Sequence, residues 1–300
     1  MAQKWDRNNI ADQSGRIAIV TGANSGIGFE TARVLAQKNA EVILACRSVE
    51  KAEKAVEQIK SQFPEAKCRV MALDLSSLES VRTFADAFLE KYDALDLLIN
   101  NAGVMVPPYT KTADGFELQF GTNHIGHFAL TGLLLEKVLE TEGSRIVIVS
   151  SAAHKIGKIN FDDLNWEKRK YKPAGAYGDS KIANLYFLYE LQRRLSASDK
   201  QTISAAAHPG WTETNLQQHS GLFQSMNPLF AQSIEMGALP TLYAAVASGV
   251  QGGDYFGPSG FMEMRGYPKK VKSNKLSHNR EIAKRLWAVS EELSGIKYSI

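Results

Sequence analysis

The stretch Arg16-Ile-Ala-Ile-Val-Thr-Gly-Ala-Asn-Ser-Gly-Ile-Gly28 decides the fold of this chain. Its first half is a short β-branched run that predicts a strand, and a helical pattern begins at Phe29. A glycine turn between a strand and a helix lets backbone amides approach a pyrophosphate and points the helix dipole at it. The alternative is that these glycines only allow the chain to turn and bind no nucleotide. Their place after the first strand favours a nucleotide site.

Short apolar runs alternate with longer helical patterns along the rest of the chain. The runs predict strands at Arg16–Val20, Glu41–Cys46, Arg69–Leu73, Leu95–Ile99, Arg145–Val149 and Thr202–Ala207, with a seventh, edge strand at Asp254–Phe256. This alternation predicts a doubly wound α/β fold of the Rossmann type, a parallel sheet of about seven strands with helices on both faces. No linker or repeat divides the chain, so we expect a single domain over residues 14–300 after an N-terminal extension, residues 1–13.

Two long inserts interrupt the alternation, near residues 152–175 and 211–233. Both follow the carboxyl ends of strands, where open parallel sheets bind their ligands. As pocket walls, their large apolar side chains would favour a bulky lipophilic ligand; as packing beneath loops they would say nothing about function. We expect pocket walls. The side chains are Trp166, Tyr171, Trp211, Phe223, Met226 and Phe230.

Composition and charge exclude several classes of protein. The net charge of +3, from 35 basic and 32 acidic residues, is too small to indicate a nucleic-acid partner or an acidic membrane surface. Cys46 and Cys68 are the only cysteines, which excludes a disulfide framework and a four-ligand zinc site. No metal ligand set accompanies His124 and His127, so we expect packing or hydrogen-bonding roles for both. No apolar stretch approaches the roughly 18 residues needed to span a bilayer, so we expect no membrane anchor.

Tyr177 and Lys181 are four residues apart, one turn of a predicted helix. An ammonium held against a phenol favours the phenolate, so we expect the pKa of Tyr177 to fall below its ordinary value of about 10. Such a tyrosine can exchange protons with an alcohol or a ketone. A tyrosine and a lysine four residues apart are common on helix surfaces, so the spacing indicates a catalytic pair only together with the surrounding motifs.

Arg47 and Ser48 follow the second predicted strand. An enzyme that selects NAD is expected to place Asp or Glu there, against the ribose 2′-hydroxyl, whereas an arginine accommodates the 2′-phosphate of NADP. The alternative is a solvated loop arginine. The sequence therefore predicts NADP(H) rather than NAD(H).

Four motifs in order give the chain a resemblance to the short-chain dehydrogenase/reductases. They are Thr21–Gly28, Asn100-Asn101-Ala102-Gly103, Ser150-Ser151 and Tyr177-x-x-x-Lys181. The stretches Asn123-His-Ile-Gly-His-Phe128 and Ala152–Ile159 resemble more narrowly the retinol dehydrogenase and WW-domain oxidoreductase branch. The chain has only two cysteines, no apolar span and a polar start unlike a signal sequence, so we expect a cytoplasmic protein. Membrane-bound retinol dehydrogenases carry a hydrophobic N-terminal anchor, whereas this chain begins with polar residues.

The resemblance implies the roles of particular residues. The catalytic tetrad would be Asn123, Ser151, Tyr177 and Lys181, with Ser150 as the alternative serine. Residues expected to bind the cofactor are Gly22, Asn24, Ser25, Gly26, Ile27 and Gly28 in the turn, Arg47 and Ser48, Asp74 and Leu75, Asn101, Ala102 and Gly103, Tyr177 and Lys181, and Pro209, Gly210, Thr212 and Thr214. The family also favours a homodimer formed through helices near Asn123 and Tyr177, although C-terminal sequence can cover such surfaces.

The implied activity is an NADP(H)-dependent interconversion of an aldehyde or ketone with an alcohol. The substrate would be a small molecule that is bulky and lipophilic. Tyr177 would be its general acid and base. One alternative is a protein that binds NADP(H) as a sensor or scaffold without turnover, because a fold alone does not establish catalysis. A further alternative, reduction of a C=C bond as in protochlorophyllide reductases, ranks lower because the chain has no cysteine after Cys68.

Overall fold

The computed structural model describes residues 4–198, 200–212 and 231–300. These residues form one sheet of eight strands in the order β3-β2-β1-β4-β5-β6-β7-β8. The strands are β1 (Ile17–Thr21), β2 (Glu41–Cys46), β3 (Cys68–Ala72), β4 (Leu97–Asn100), β5 (Arg145–Val149), β6 (Ile203–Ala207), β7 (Tyr255–Pro258) and β8 (Pro268–Lys270). Strands β1 to β7 are parallel, and β8 pairs antiparallel with β7. The doubly wound α/β prediction is confirmed, with one edge strand more than expected.

Helices cover both faces of the sheet. The α-helices of the described residues are Gly26–Gln37, Val49–Gln62, Leu78–Lys91, Leu118–Phe120, Gly126–Glu140, Pro173–Ala197, Ile234–Val246 and Arg280–Ser294. A π-helical turn, Gly121–Ile125, joins Leu118–Phe120 to Gly126–Glu140, and short 3₁₀ turns occupy Arg7–Asn9, Ala152–Lys155, Phe261–Glu263 and Lys275–His278. The alternation arises because parallel strands need crossover connections, which helices supply.

Among the described residues, the two largest apolar clusters lie one on each face of the sheet, and a third, smaller cluster contains Phe120 and Tyr186. One layer packs Phe84, Phe88 and Leu134 against buried strand side chains such as Ile19. The other layer contains Leu35, Ile59 and Leu242. Because both faces are covered, the central strands β1, β2, β4 and β5 are largely apolar along their whole length rather than alternating. This packing fixes the positions of the strand ends that carry the candidate site.

The order β2-β1-β4-β5 contains the point where the direction of strand progression reverses. In open α/β sheets, ligands bind at this point, in the crevice outside the carboxyl ends of the strands. The turn after β1, the Asn101 loop after β4 and the serines after β5 all leave the sheet at this edge.

Candidate active site

The glycine turn after β1 is crowded in a way that only glycine permits. Gly22 and Gly26 have φ of 66° and 57°, in the left-handed region. A Cβ at Gly28 would lie 2.4 Å from the carbonyl oxygen of Gly22 and 2.5 Å from Nδ2 of Asn101. Asn101 Nδ2 donates a hydrogen bond to the carbonyl of Thr21 at 2.8 Å. The close approach therefore locks the turn to the loop after β4.

The helix Gly26–Gln37 begins without a side-chain cap. Ser25 is its N-cap residue, and its hydroxyl makes no capping hydrogen bond. Helix N-termini carry unpaired backbone N–H groups and the positive end of the dipole, so they suit anions. Together with the glycine cradle, this start fits the pyrophosphate of a dinucleotide, with the backbone of Asn24 to Gly28 around it.

Thr21 is the centre of a hydrogen-bond network that sequence reasoning missed as a site feature. Its Oγ1 accepts from the backbone N–H groups of Asn101 and Ala102, both at 2.9 Å. It also lies 2.9 Å from Nε2 of His127, whose Nδ1 is 3.1 Å from the carbonyl oxygen of Asn123. Because that carbonyl only accepts, Nδ1 of His127 carries the proton and Nε2 accepts from Thr21. The network joins three predicted site segments.

Asn123 lies in the π-helical turn and is fully buried. Its Oδ1 accepts from the N–H of Val104 at 2.8 Å, and its Nδ2 donates to the carbonyl of Val104 and to Ser180 Oγ, each at 3.0 Å. The side chain therefore holds the loop after Gly103. π-Turns within helices are frequent at functional sites. Periodicity does not reveal this one, because one extra residue in a helical turn barely disturbs the apolar pattern.

Ser151 and Tyr177 face the same cleft, which has a volume of about 260 Å³. Ser151 stands at the start of the turn after β5, and Tyr177 in the first turns of helix Pro173–Ala197. Ser150 is buried, and its hydroxyl donates to the carbonyl of Lys181 at 2.9 Å. Of the two adjacent serines, Ser151 is the one at the cleft.

Lys181 lies behind Tyr177. Its Nζ is 5.6 Å from the centre of the Tyr177 ring and donates to the carbonyl of Val149 at 3.2 Å. Burial lowers the pKa of Lys181 to about 8. A Cβ at Gly103 would lie 3.5 Å from Nζ, so the glycine keeps one side of the ammonium free of side chains.

The pKa of Tyr177 differs from the sequence-based expectation. Burial raises it to about 12, and the hydrogen bond with Ser151 acts in the opposite direction. The cost of burying a phenolate outweighs that hydrogen bond, and Lys181, whose Nζ is 5.6 Å from the ring centre, does not lower the pKa of Tyr177 as expected. At neutral pH the phenol holds its proton and is an acid ready to donate.

The remaining predicted cofactor residues lie around this crevice in different roles. Arg47 is exposed at the end of β2, and Ser48 caps the helix Val49–Gln62 by accepting from the N–H of Lys51. Asp74 accepts from the N–H and hydroxyl of Ser76, while Leu75 is buried, with its carbonyl against Gly126. Thr214 lies outside the described residues.

Pro209, Gly210 and Thr212 line the cleft together with Ile27 of the glycine turn. Gly210 has φ of 66°, and a Cβ there would meet the carbonyl of Met264 at 2.4 Å. The cleft thus adjoins the predicted nucleotide turn. The first insert also contributes to the lining, as expected of a pocket wall, through Ala152, Ala153, Ile156 and Ala174. Lining residues that the sequence did not indicate are Met105, Val106, Glu263 and Met264.

The expected aromatic pocket walls are only partly present. Trp211 lines the cleft, whereas Trp166 stacks under the guanidinium of Arg169, 3.6 Å from its ring centre. Tyr171 donates a hydrogen bond to Glu117 at 2.9 Å. Trp166 and Tyr171 therefore pack beneath the first insert, because their polar partners hold them there. Phe223, Met226 and Phe230 lie outside the described residues.

This fold and arrangement define a nucleotide-dependent oxidoreductase, and comparison with known proteins gives the family. The short chain dehydrogenase family model matches residues 16–224, and the chain belongs to that family. It is accordingly an oxidoreductase that uses a nicotinamide cofactor and acts on small molecules.

The chain is 43% identical over 294 residues to human retinol dehydrogenase 13, covering 94% of this chain and 86% of the relative. It is 44% identical over 289 residues to human retinol dehydrogenase 12, with coverage of 95% and 88%. Among solved structures, an uncharacterized protein from Mycobacterium paratuberculosis matches with a TM-score of 0.85 and 40% identity, over 99% of this chain and all (100%) of that one. The resemblance to the retinol dehydrogenase branch is confirmed.

The predicted cytoplasmic location is wrong. It rested on the polar start and on the lack of an apolar span, whereas the chain is similar to retinol dehydrogenases, among them retinol dehydrogenases 11, 12 and 13. Within the described parts of the chain, no helix has both the length and the apolarity to cross a bilayer.

Proposed function

We propose that the protein interconverts an aldehyde or ketone with an alcohol, using NADP(H), on a bulky lipophilic substrate. The observation that carries this proposal is the shared cleft of Ser151 and Tyr177 beside the glycine turn. A proton donor, a second hydrogen-bond donor and a nucleotide cradle in one crevice are what a carbonyl reduction needs.

The residues of the cleft have distinct parts in the chemistry. When bound, the nicotinamide supplies or accepts the hydride. A substrate carbonyl oxygen accepts hydrogen bonds from Ser151 and Tyr177, and Tyr177 gives up its proton as negative charge develops on that oxygen. The ammonium of Lys181 stabilises the phenolate that remains, while Asn123 fixes the Val104 loop beside it. In the reverse direction Tyr177 takes the proton from the alcohol.

The protonated state of Tyr177 supports reduction at neutral pH. Its pKa is raised to about 12 by burial, so the acid form predominates and the base form is scarce. Oxidation of an alcohol needs the base form and should increase as the pH rises.

The cleft supports a lipophilic substrate. Its lining is mainly apolar, including Met105, Val106, Ile156, Trp211 and Met264. Pockets of this kind favour apolar ligands, with a few polar groups to orient them. The similarity to retinol dehydrogenases 12 and 13 makes retinal one member of the panel to test.

The decisive experiment is Tyr177→Phe, which removes only the hydroxyl. We expect turnover of NADPH with the best substrate from a panel of retinal, long-chain aldehydes, steroids and quinones to fall about 10²–10⁴-fold. NADPH affinity, measured by fluorescence titration, should stay the same. Tyr186→Phe removes a buried hydroxyl from the same helix and serves as the matched control, with unchanged turnover.

Two results would contradict the proposal. Substantial turnover by Tyr177→Phe would remove the tyrosine from the mechanism. NADPH binding by the unmodified protein without oxidation anywhere in the panel would favour the sensor or scaffold function.

A further inference from the structure

The cleft opens beside a cluster of exposed apolar side chains. Phe261, Met262 and Ile156 are 77%, 70% and 65% exposed, the highest values among the large hydrophobic residues of the described chain. Ile156 lines the cleft, and Phe261 and Met262 immediately precede two other lining residues, Glu263 and Met264. Apolar side chains gathered at one place on a surface mark an interaction site, whereas isolated ones do not. We call Ile156, Phe261 and Met262 the docking tip.

The backbone holds the docking tip outward. Met262 and Glu263 have φ of 50° and 59°, a backbone conformation that residues other than glycine rarely adopt. Hydrogen bonds from Gly260 N–H to the carbonyl of Arg265 and from Ser259 N–H to that of Tyr267 close the loop at its base. In the other segment of the docking tip, which Lys155 joins to Glu263 at 3.8 Å, Ile156 precedes Gly157, where a Cβ would lie 2.1 Å from the Gly178 carbonyl. Close packing against the Tyr177 helix therefore fixes that segment.

Basic side chains surround the docking tip. Lys155, Lys158, Arg265 and Lys269 are all exposed on the same two segments and on the adjoining strand β8. The carboxylate among them, Glu263, lies 3.8 Å from Lys155 Nζ and offsets one of the four positive charges, so the cluster keeps a net positive charge. The net charge of +3 gives no sign of this cluster. The fold gathers the charges locally.

An apolar projection on segments that also carry exposed cations complements the surface of an anionic bilayer. The apolar groups reach the boundary between headgroups and acyl chains, and each cation near the surface adds attraction to anionic lipids. Phe is suited to that depth.

We propose that the docking tip inserts into the interface of an anionic phospholipid bilayer, and that the cleft takes its substrate from the lipid. The second half of this inference rests on the proposed lipophilic substrate. The first half does not, because the binding of a vesicle requires no turnover.

The test is cosedimentation of the full chain with vesicles. We expect binding to phosphatidylcholine vesicles that contain phosphatidylserine, weaker binding to phosphatidylcholine alone, and weakening at high salt. The double variant Phe261→Ser with Met262→Ser should partition at least about tenfold less, since it removes two large apolar groups. Leu89→Ser, which changes a 38% exposed leucine on the helix Leu78–Lys91, is the matched control and should bind as the unmodified protein does.

A second variant separates charge from apolar insertion. Lys155→Gln with Lys158→Gln should weaken the preference for phosphatidylserine, since it removes two of the four exposed cations. Circular dichroism and NADPH titration establish that each variant is folded.

The proposal is overturned if the unmodified chain binds neither kind of vesicle, or if the double tip variant binds as well as the unmodified chain. It is also overturned if the tip variants instead dissociate a dimer in light scattering, because the occupant would then be a second copy of the chain.

Discussion

Arg47 directly follows strand β2, with its side chain in solvent and next to the crevice that the glycine turn forms. Because Arg47 is exposed, its side chain contributes little to the packing of the fold and is available to bind a ligand. A guanidinium pairs with a phosphate through two parallel charge-assisted hydrogen bonds, and a ribose hydroxyl gives it no comparable partner.

Replacing Arg47 by alanine should therefore affect one cofactor and not the other. We expect the KM for NADPH to rise about tenfold or more, which corresponds to about 1.5–3 kcal/mol for a hydrogen bond to a charged group. The KM for NADH should stay nearly constant. Steady-state kinetics with both cofactors measure the effect, with Arg280→Ala as control, because Arg280 is an exposed arginine at the start of the helix Arg280–Ser294. Equal losses with NADPH and NADH would contradict the assignment of Arg47 to the 2′-phosphate.

At the scale of elements, the sequence predicts the bounds of buried strands better than it predicts how deeply the site residues beside them are buried. β2 and β5 have the predicted bounds, because strands buried on both faces read as uninterrupted apolar runs. The three residues of β8 carry no such run and form a strand only by pairing with β7. The meeting of Ser151 and Tyr177 follows from strand order, whereas the raised pKa of Tyr177 depends on how completely the whole fold buries it.

The π-helical turn and the helix after it bury two uncharged histidines. Burial lowers the pKa of His127 to about 4 and that of His124 to about 3, from an ordinary value of 6.5. Between about pH 6.5 and 4 the unfolded chain takes up protons that the folded chain refuses, so stability is complete above that window and lost as the pH falls through it. Each histidine should cost about 2 kcal/mol between pH 7 and 5.

His127→Asn tests this coupling. At pH 7 the variant should be less stable by about 1–3 kcal/mol, since it loses the hydrogen bonds to Thr21 and Asn123. It should also lose about 2 kcal/mol less than the unmodified protein between pH 7 and 5, because one titrating group is gone. Urea unfolding at both pH values measures the two effects, and all other groups cancel in the comparison. An unchanged dependence on pH would contradict a neutral, buried His127.

At the scale of the whole molecule, the C-terminal residues cover the helices near the site. The helix Arg280–Ser294 packs against Gly126–Glu140 and Pro173–Ala197. These are the helices through which the sequence predicts a homodimer, so a dimer through them would have to form around the C-terminal cover. The homodimer stays a prediction.

Tyr298 attaches the C-terminal residues to the helix Gly126–Glu140. Its hydroxyl donates to the carbonyl of Phe128 at 2.7 Å, and its ring lies 4.5 Å from that of Trp287 and 4.8 Å from that of Phe128. Tyr298→Ala leaves a cavity between the C-terminus and the Gly126–Glu140 helix and should lower the free energy of unfolding by about 3–5 kcal/mol. Lys297→Ala, whose side chain is 77% exposed, should change it by less than about 0.5 kcal/mol. Urea unfolding followed by tryptophan fluorescence compares the two variants. Equal free energies of unfolding for the two variants would mean that the C-terminal residues contact the fold without stabilising it. Light scattering of Tyr298→Ala would then show whether the predicted dimer forms when these residues no longer pack tightly on the helices.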